Sequence, residues 1–158
     1  MNIGKFRFHG VSAHAAAAPE QGRSALDGVE AMNAMVNLMR EHVLAETRIH
    51  YIITNGGKAP NVVPDFAEVY YYARHSDMRI LDGIWERIVN AAKGAALGTG
   101  TTMDFELVNS VYNVLTNDAL SDVMQRAPST RSVVTSTPPR KGPLPTSSGR
   151  HSLERSRR

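Results

Sequence analysis

Three groups of residues in this chain could do chemistry. The first is His9-Gly10-Val11-Ser12-Ala13-His14-Ala15-Ala16-Ala17-Ala18-Pro19, where an alternating run enters a loop of small residues around one imidazole. Small neighbours let a large partner approach His14 closely. Neutral, His14 has one N–H to donate to a developing oxyanion; protonated, it would add charge stabilisation. The second is Asn55-Gly56-Gly57-Lys58-Ala59-Pro60-Asn61-Val62-Val63-Pro64. Gly56 and Gly57 suit a tight turn because glycine adopts positive φ at no steric cost. Pro60 and Pro64 keep Asn61 extended between them. An amide side chain donates and accepts at once, so Asn61 suits an amide or carboxylate ligand. The third is Arg74, which closes the run Tyr70-Tyr71-Tyr72-Ala73-Arg74. A guanidinium fixed at a strand end has the shape for bidentate carboxylate binding. Taken singly, each has a plainer reading that carries more weight on composition alone: an exposed loop histidine, a hairpin connection and a surface arginine.

Other site chemistries lack their residues. There is no HExxH, no P-loop, no GxSxG and no GxGxxG before a helix. His75-x-Asp77 has the spacing of a metal pair, but zinc needs three or four convergent ligands. Asp77 reads better as a helix cap with His75 in the turn before it, so no metal site is expected in this chain. His42 and His50 lie on or beside the first helix and read as surface groups. With no cysteine, disulfides, Cys-ligated zinc and a thiol nucleophile are excluded, which fits a reducing compartment.

The elements that must position these residues follow β-α-β-β-α-β. Lys5 to His9 alternates, with Phe6 and Phe8 on one face. Ser24 can cap a helix with Asp27 three residues on. Ala25, Val29, Met32, Val36, Met39 and Val43 then form one apolar stripe, and the helix is expected to run to about Leu44. Arg48 to Thr54 and Phe66 to Arg74 read as strands. Asp77 caps a second helix lined by Ile80, Ile84, Ile88 and Ala91, which Gly98 and Gly100 are expected to end. Thr102 to Val108 alternates, with Met103, Phe105 and Leu107 inward and Asp104 and Glu106 outward. Asn117 to Arg126 can start a further short helix. The fold class expected is α+β: a ferredoxin-like four-stranded antiparallel sheet with two helices on one face.

Composition changes near Ala127. Residues 127–158 hold five of the eight prolines, 11 Ser/Thr and seven Lys+Arg against one Glu, net +6. That leaves 11 Lys+Arg and 14 Asp+Glu in residues 1–126, net −3. The ordered domain is therefore expected over residues 3–126, and 127–158 as a disordered basic tail. The acidic body gives no electrostatic reason to bind nucleic acid. No apolar run approaches the roughly 20 residues of a membrane span. No apolar stretch follows the first charge, so no signal peptide is read, and the expected setting is cytoplasmic.

Together, and in this order, the three groups resemble the lid domain of the zinc-dependent aminoacylase, carboxypeptidase and amidohydrolase family. Its Gly-x-x-x-His-Ala segment followed by Pro and Gly is matched by Gly10, His14, Ala15, Pro19 and Gly22. Its Gly-Gly-x-x-x-Asn-x-x-Pro segment is matched by Gly56, Gly57, Asn61 and Pro64, and its Arg after the third strand by Arg74. The run from His14 to Asp27 is similar to the branch that hydrolyses aminobenzoyl-glutamate. The resemblance implies that His14 reaches a partner subunit's active site and stabilises the tetrahedral intermediate, while Asn61 and Arg74 hold the substrate's carboxylate. It implies a homodimer through the lid, a small acyl-amino-acid substrate, and two zinc ions held by a catalytic domain whose segments are missing here. The chain would then be inactive alone, and a reading frame changed near Ala127 would account for the tail. Two other classes share the element order. One is a ferredoxin-like small-molecule or oligomerisation module. The other is an RNA-binding module with Phe6, Phe8 and Tyr70 to Tyr72 as stacking platforms, although Phe66-Ala67-Glu68-Val69-Tyr70 does not supply the required pattern.

Overall fold

The computed structural model describes residues 1–126. Its strands are β1 (Asn2–His9), β2 (Arg48–Asn55), β3 (Phe66–Arg74) and β4 (Thr102–Ser110), and its helices are α1 (Ala25–Met39), α2 (Met78–Thr99) and α3 (Asp118–Arg126). All neighbouring strands are antiparallel in the order β2-β3-β1-β4. The first compact unit is Met1–Leu115. Helix α3 belongs to a second unit, where Asn117 Oδ1 accepts from the Leu120 amide at 3.0 Å. The segment expected to be a disordered tail, residues 127–158, lies outside the described residues.

Side-chain alternation decides which face of the sheet is buried. Phe6 and Phe8 from β1 and Ala67, Val69, Tyr71 and Ala73 from β3 point to the helix side and are fully buried. Tyr71 keeps its hydroxyl satisfied there by donating to Asn33 Oδ1 of α1. On α1 the expected stripe is buried from Ala25 to Met39. Its cap is as expected, with Ser24 Oγ accepting from the Asp27 amide at 3.2 Å. The helix stops at Met39 rather than near Leu44. A 3-10 turn, Arg40–His42, follows, and the chain turns extended at Val43. The Arg40 guanidinium donates to the Ile49 carbonyl and ties this exit to β2.

Asp77 caps α2, its Oδ1 accepting from the Arg79 amide at 2.8 Å. The buried face is broader than the Ile80–Ala91 stripe: Leu81, Trp85, Val89, Ala92, Ala95 and Ala96 join Ile84 and Ile88. Ile80 and Ala91 sit at its margin, half-buried. Gly98 lies inside the helix, and Gly100, in the left-handed region at φ 65°, ends it. Trp85 packs beside Phe6 with centroids 5.7 Å apart.

The two helices leave β4 partly bare. Phe105 stacks on Phe6, yet Phe105 and Leu107 remain 42% and 48% exposed on the helix side. The inward pattern read in the sequence is right, but inward is not the same as covered at this edge.

Candidate functional site

Antiparallel pairing brings two loops together at one end of the sheet. β1 ends at His9 opposite Phe66, where β3 begins. The loop after β1 and the loop before β3 therefore leave the sheet side by side. They are joined by backbone hydrogen bonds from Gly10 N to Asp65 O (2.8 Å), Val63 N to Ala13 O (2.9 Å) and Ala15 N to Asn61 O (3.0 Å). His14 and Val62 form an isolated antiparallel bridge. Ser12 Oγ adds a bond to the Val63 carbonyl at 3.1 Å. This places His14 and Asn61, both exposed, on one double-stranded rim. Val11 and Arg23 close the base of the His14 loop through reciprocal bonds of 2.8 and 2.9 Å. Gly10 is needed there, because a Cβ would lie 1.9 Å from the Arg23 carbonyl oxygen.

The His14 ring is held by its own loop. Nδ1 accepts from the amides of Ala16 (3.2 Å) and Ala17 (3.1 Å). Amide N–H groups can only donate, so Nδ1 must be the acceptor and neutral His14 carries its hydrogen on Nε2. Nε2–H then faces away from those two amides, available to a ligand oxygen. The sequence carries no side-chain signal for Ala16 and Ala17. Only their smallness, which lets the backbone curl onto the ring, marks them.

Gly57 has φ 111° and Gly56 does not share that conformation. The expected tight turn is instead a longer connection, in which Asn55 Oδ1 accepts from the Gly57 amide at 3.1 Å.

Arg74 is elsewhere. It closes β3 at the opposite end of the sheet, next to the start of β1, where Asn2 pairs with Ala73. Eight residue steps of strand separate the two ends, roughly 25 Å. Its guanidinium lies over the Tyr72 ring at 5.9 Å, and it lines a cavity of about 340 Å³ with Glu46, His75 and Ser76. Across the ladder it faces Arg48, which sequence reading did not single out. One chain thus gathers His14 and Asn61 and does not bring Arg74 to them.

The sheet face away from the helices carries a charge ladder. Arg7 contacts Glu68 (3.0 Å), Asp104 (3.4 Å) and Glu106 (2.5 Å), Lys5 contacts Glu68 (3.3 Å), and His9 Nε2 contacts Asp104 (2.7 Å). The Glu106 and Glu68 carboxylates raise the Arg7 guanidinium above its ordinary range. Tyr70 and Tyr72 share this open face, but Phe6, Phe8 and Tyr71 are sealed under the helices and cannot stack on bases. His75 Nδ1 accepts from the Asp77 amide at 2.9 Å, so this pair builds the turn into α2. His42 is exposed beyond α1, and His50 is exposed on β2. No group of three or more His, Asp or Glu among the described residues could hold a metal ion.

A ferredoxin-like module that presents an imidazole and an amide from two zipped loops is a small accessory domain of hydrolase type, as the motif resemblance implied. The family model for the M20 peptidase dimerisation domain matches residues 2–99, and this chain belongs to that family. It is 42% identical over 123 residues to a p-aminobenzoyl-glutamate hydrolase of Escherichia coli (strain K12), covering 77% of this chain and 26% of that protein. It is 35% identical over 115 residues to Xaa-Arg dipeptidase of Mus musculus, covering 72% and 27%. The crystal structure of aminobenzoyl-glutamate utilization protein from Klebsiella pneumoniae shares the fold at a TM-score of 0.66 and 23% identity, covering 78% of this chain and 32% of that one. The chain spans about a quarter of the length of these curated relatives.

Proposed function

We propose that this chain is the lid and dimerisation part of a metal-dependent amidohydrolase that cleaves the amide bond of an N-acyl amino acid resembling aminobenzoyl-glutamate. The observation that carries the reading is the His14 ring, pinned through Nδ1 by two amides with Nε2–H left to donate, on the same rim as Asn61. A donor fixed before the reaction is what stabilises charge developing on an attacked carbonyl oxygen. Asn61 and Arg74 are assigned to the substrate's carboxylate. The two zinc ions of such an enzyme belong, in this reading, to the catalytic domain, since the described residues do not fit them. The chain alone is then not a catalyst.

A homodimer reconciles the two ends of the sheet. If two copies pair antiparallel along β2, a two-fold axis crosses the seam and reverses the partner sheet. The partner's His14 and Asn61 then lie on the same side of the joint sheet as Arg74. β2 suits this seam: Ile52 and Ile53 are 62% and 43% exposed on an open edge, and Leu38 of α1 is exposed.

The test is a graft. Residues 2–110 replace the matching segment of the E. coli p-aminobenzoyl-glutamate hydrolase, and turnover of p-aminobenzoyl-glutamate is measured. His14→Ala is expected to lower kcat by about 10²-fold or more with little change in KM. Asn61→Ala and Arg74→Met are expected to raise KM. A silent His14→Ala in an active graft removes the reading.

A further inference from the structure

On the β2–β3 ladder Arg48 stands directly opposite Arg74. Ile49 and Ala73 beside them are buried under the helices, so both arginines belong to the open face, and both are exposed. Side chains directly opposed on one face have Cβ atoms about 4.5–5.5 Å apart, and like charges at that separation destabilise the pair. Among the described residues neither guanidinium is in an ion pair. Arg48 spends Nη1 on the carbonyls of Ala45 and Thr47, so its Nε and Nη2 are uncommitted among those residues. The cavity of about 270 Å³ on its side is lined also by Arg40 and His50 and by no carboxylate. On Arg74's side the one lining carboxylate, Glu46, accepts from Ser76 Oγ at 2.8 Å. Unsatisfied polarity collects here too. Thr47 Oγ1 and His75 Nε2 are the two buried polar side-chain atoms without a partner among the described residues, and they belong to the walls of these two cavities.

We propose that Arg48 is a specificity residue. Arg74 and Arg48 take one carboxylate each, so the amino-acid half of the substrate is one with an acidic side chain, an N-acyl-glutamate or N-acyl-aspartate. The proposal rests on the reading of Arg74 as a carboxylate-binding residue given above. Two adjacent forks match two carboxylates on a short linker through charge-assisted hydrogen bonds. A neutral side chain leaves the Arg48 charge unmatched, and a basic one meets two like charges.

The whole 158-residue chain, labelled with ¹⁵N, tests this by NMR titration at constant ionic strength with glutarate, butyrate and inorganic phosphate. Signals of Arg48, Arg74 and their neighbouring amides are followed. Glutarate is expected to bind about tenfold or more tightly than butyrate. Arg48→Gln is expected to erase that advantage and Arg48→Lys to restore only part of it. Asn61→Ala, at the other end of the sheet, is expected to leave it intact. Three results overturn the proposal: equal binding of glutarate and butyrate, an advantage that survives Arg48→Gln, or phosphate binding as tightly as glutarate, which would mark a general oxyanion site. If Arg48→Gln unfolds the chain, Arg48→Lys decides, and a fully retained advantage overturns the proposal. No turnover is involved, so the outcome is separate from that of the graft. A silent His14→Ala removes the hydrolase reading, whereas a lost glutarate preference removes only the role of Arg48.

Discussion

Gly56 and Gly57 are neighbours with different obligations. Gly57 sits at φ 111°, and a Cβ there would lie 2.8 Å from Pro64 Cγ. A Cβ on Gly56 would meet nothing nearer than Leu26 Cδ1 at 3.5 Å, and its φ is not positive. Gly57→Ala is therefore expected to cost about 1–3 kcal/mol through backbone strain. Gly56→Ala is expected to be neutral, or stabilising by up to about 1 kcal/mol through the unfolded chain. Urea unfolding of both variants checks this, and equal effects would mean that the loop before β3 is not held in this shape. The sequence marks the two glycines alike because turn propensity reports residue type, not the φ each position takes. Other residue-scale features were legible for a firmer reason. His14 and Asn61 had to approach each other once β1 and β3 were neighbours, since their loops flank one end of that pair. The Ala16 and Ala17 amides that hold the ring were not legible, because they act through backbone alone. Arg48 was missed because its place opposite Arg74 depends on register, which the pattern of two strands does not fix to the residue.

At the scale of elements, the sheet has two open edges of unlike character. β4 carries Asp104 and Glu106 on its outward side, both in contact with Arg7. β2 carries two consecutive exposed isoleucines, Ile52 and Ile53, and no carboxylate. Charges on an edge strand discourage pairing with another chain, and their lack leaves the ladder groups open to it. In the whole chain, Ile52→Lys is expected to shift the sedimenting species from dimer to monomer, whereas Val108→Lys on β4 leaves the dimer in place. Sedimentation velocity over a range of concentrations checks both. A dimer that survives Ile52→Lys moves the seam away from β2. Most elements could be read in advance because each repeats one period over enough residues, and β3 runs from Phe66 to Arg74 as its alternation requires. The misjudged ends share a cause. Residue type marks Gly98 as a stop for α2, yet a Cβ there would meet nothing within 4 Å, so it is an exposed helix position. Gly100, two residues on, takes the left-handed conformation that ends a helix. The end of α1 is set by Arg40 bonding to β2, a tertiary contact that no local pattern contains.

For the whole molecule, net charge conceals the arrangement that matters. The chain is +3 overall, but residues 1–126 are net −3, and several of their carboxylates converge on Arg7 across three strands. That convergence needs the strand order β3-β1-β4, so it was out of reach of a count of charges. It sets how the domain responds to acid. The hydrogen bond from His9, then that from Arg7, hold the Asp104 carboxyl below its usual value of 3.8, against a smaller opposing effect of burial. Burial pushes Glu68 up, but hydrogen bonds from Thr54, Arg7 and Lys5 together outweigh it and leave Glu68 below its usual 4.5. Both acids are thus stronger in the folded chain than in the unfolded one. As pH falls through about 4.5 the unfolded chain takes up protons first, and the equilibrium moves toward it. Their contribution is fully present above that pH and is lost as pH falls through the lower folded values. Thermal unfolding from pH 7 to pH 3 should therefore show Tm dropping below about pH 4.5. The drop should be shallower in an Asp104→Asn, Glu68→Gln double variant, because neither position then titrates. That variant should also start from a lower Tm at pH 7, since Arg7 keeps only Glu106 as a charged partner. High salt should narrow the gap between the two proteins at pH 7, as both carboxylates stand near solvent. An acid limb of unchanged steepness in the double variant would place the acid-sensitive contacts elsewhere in the fold, away from the open face of the sheet.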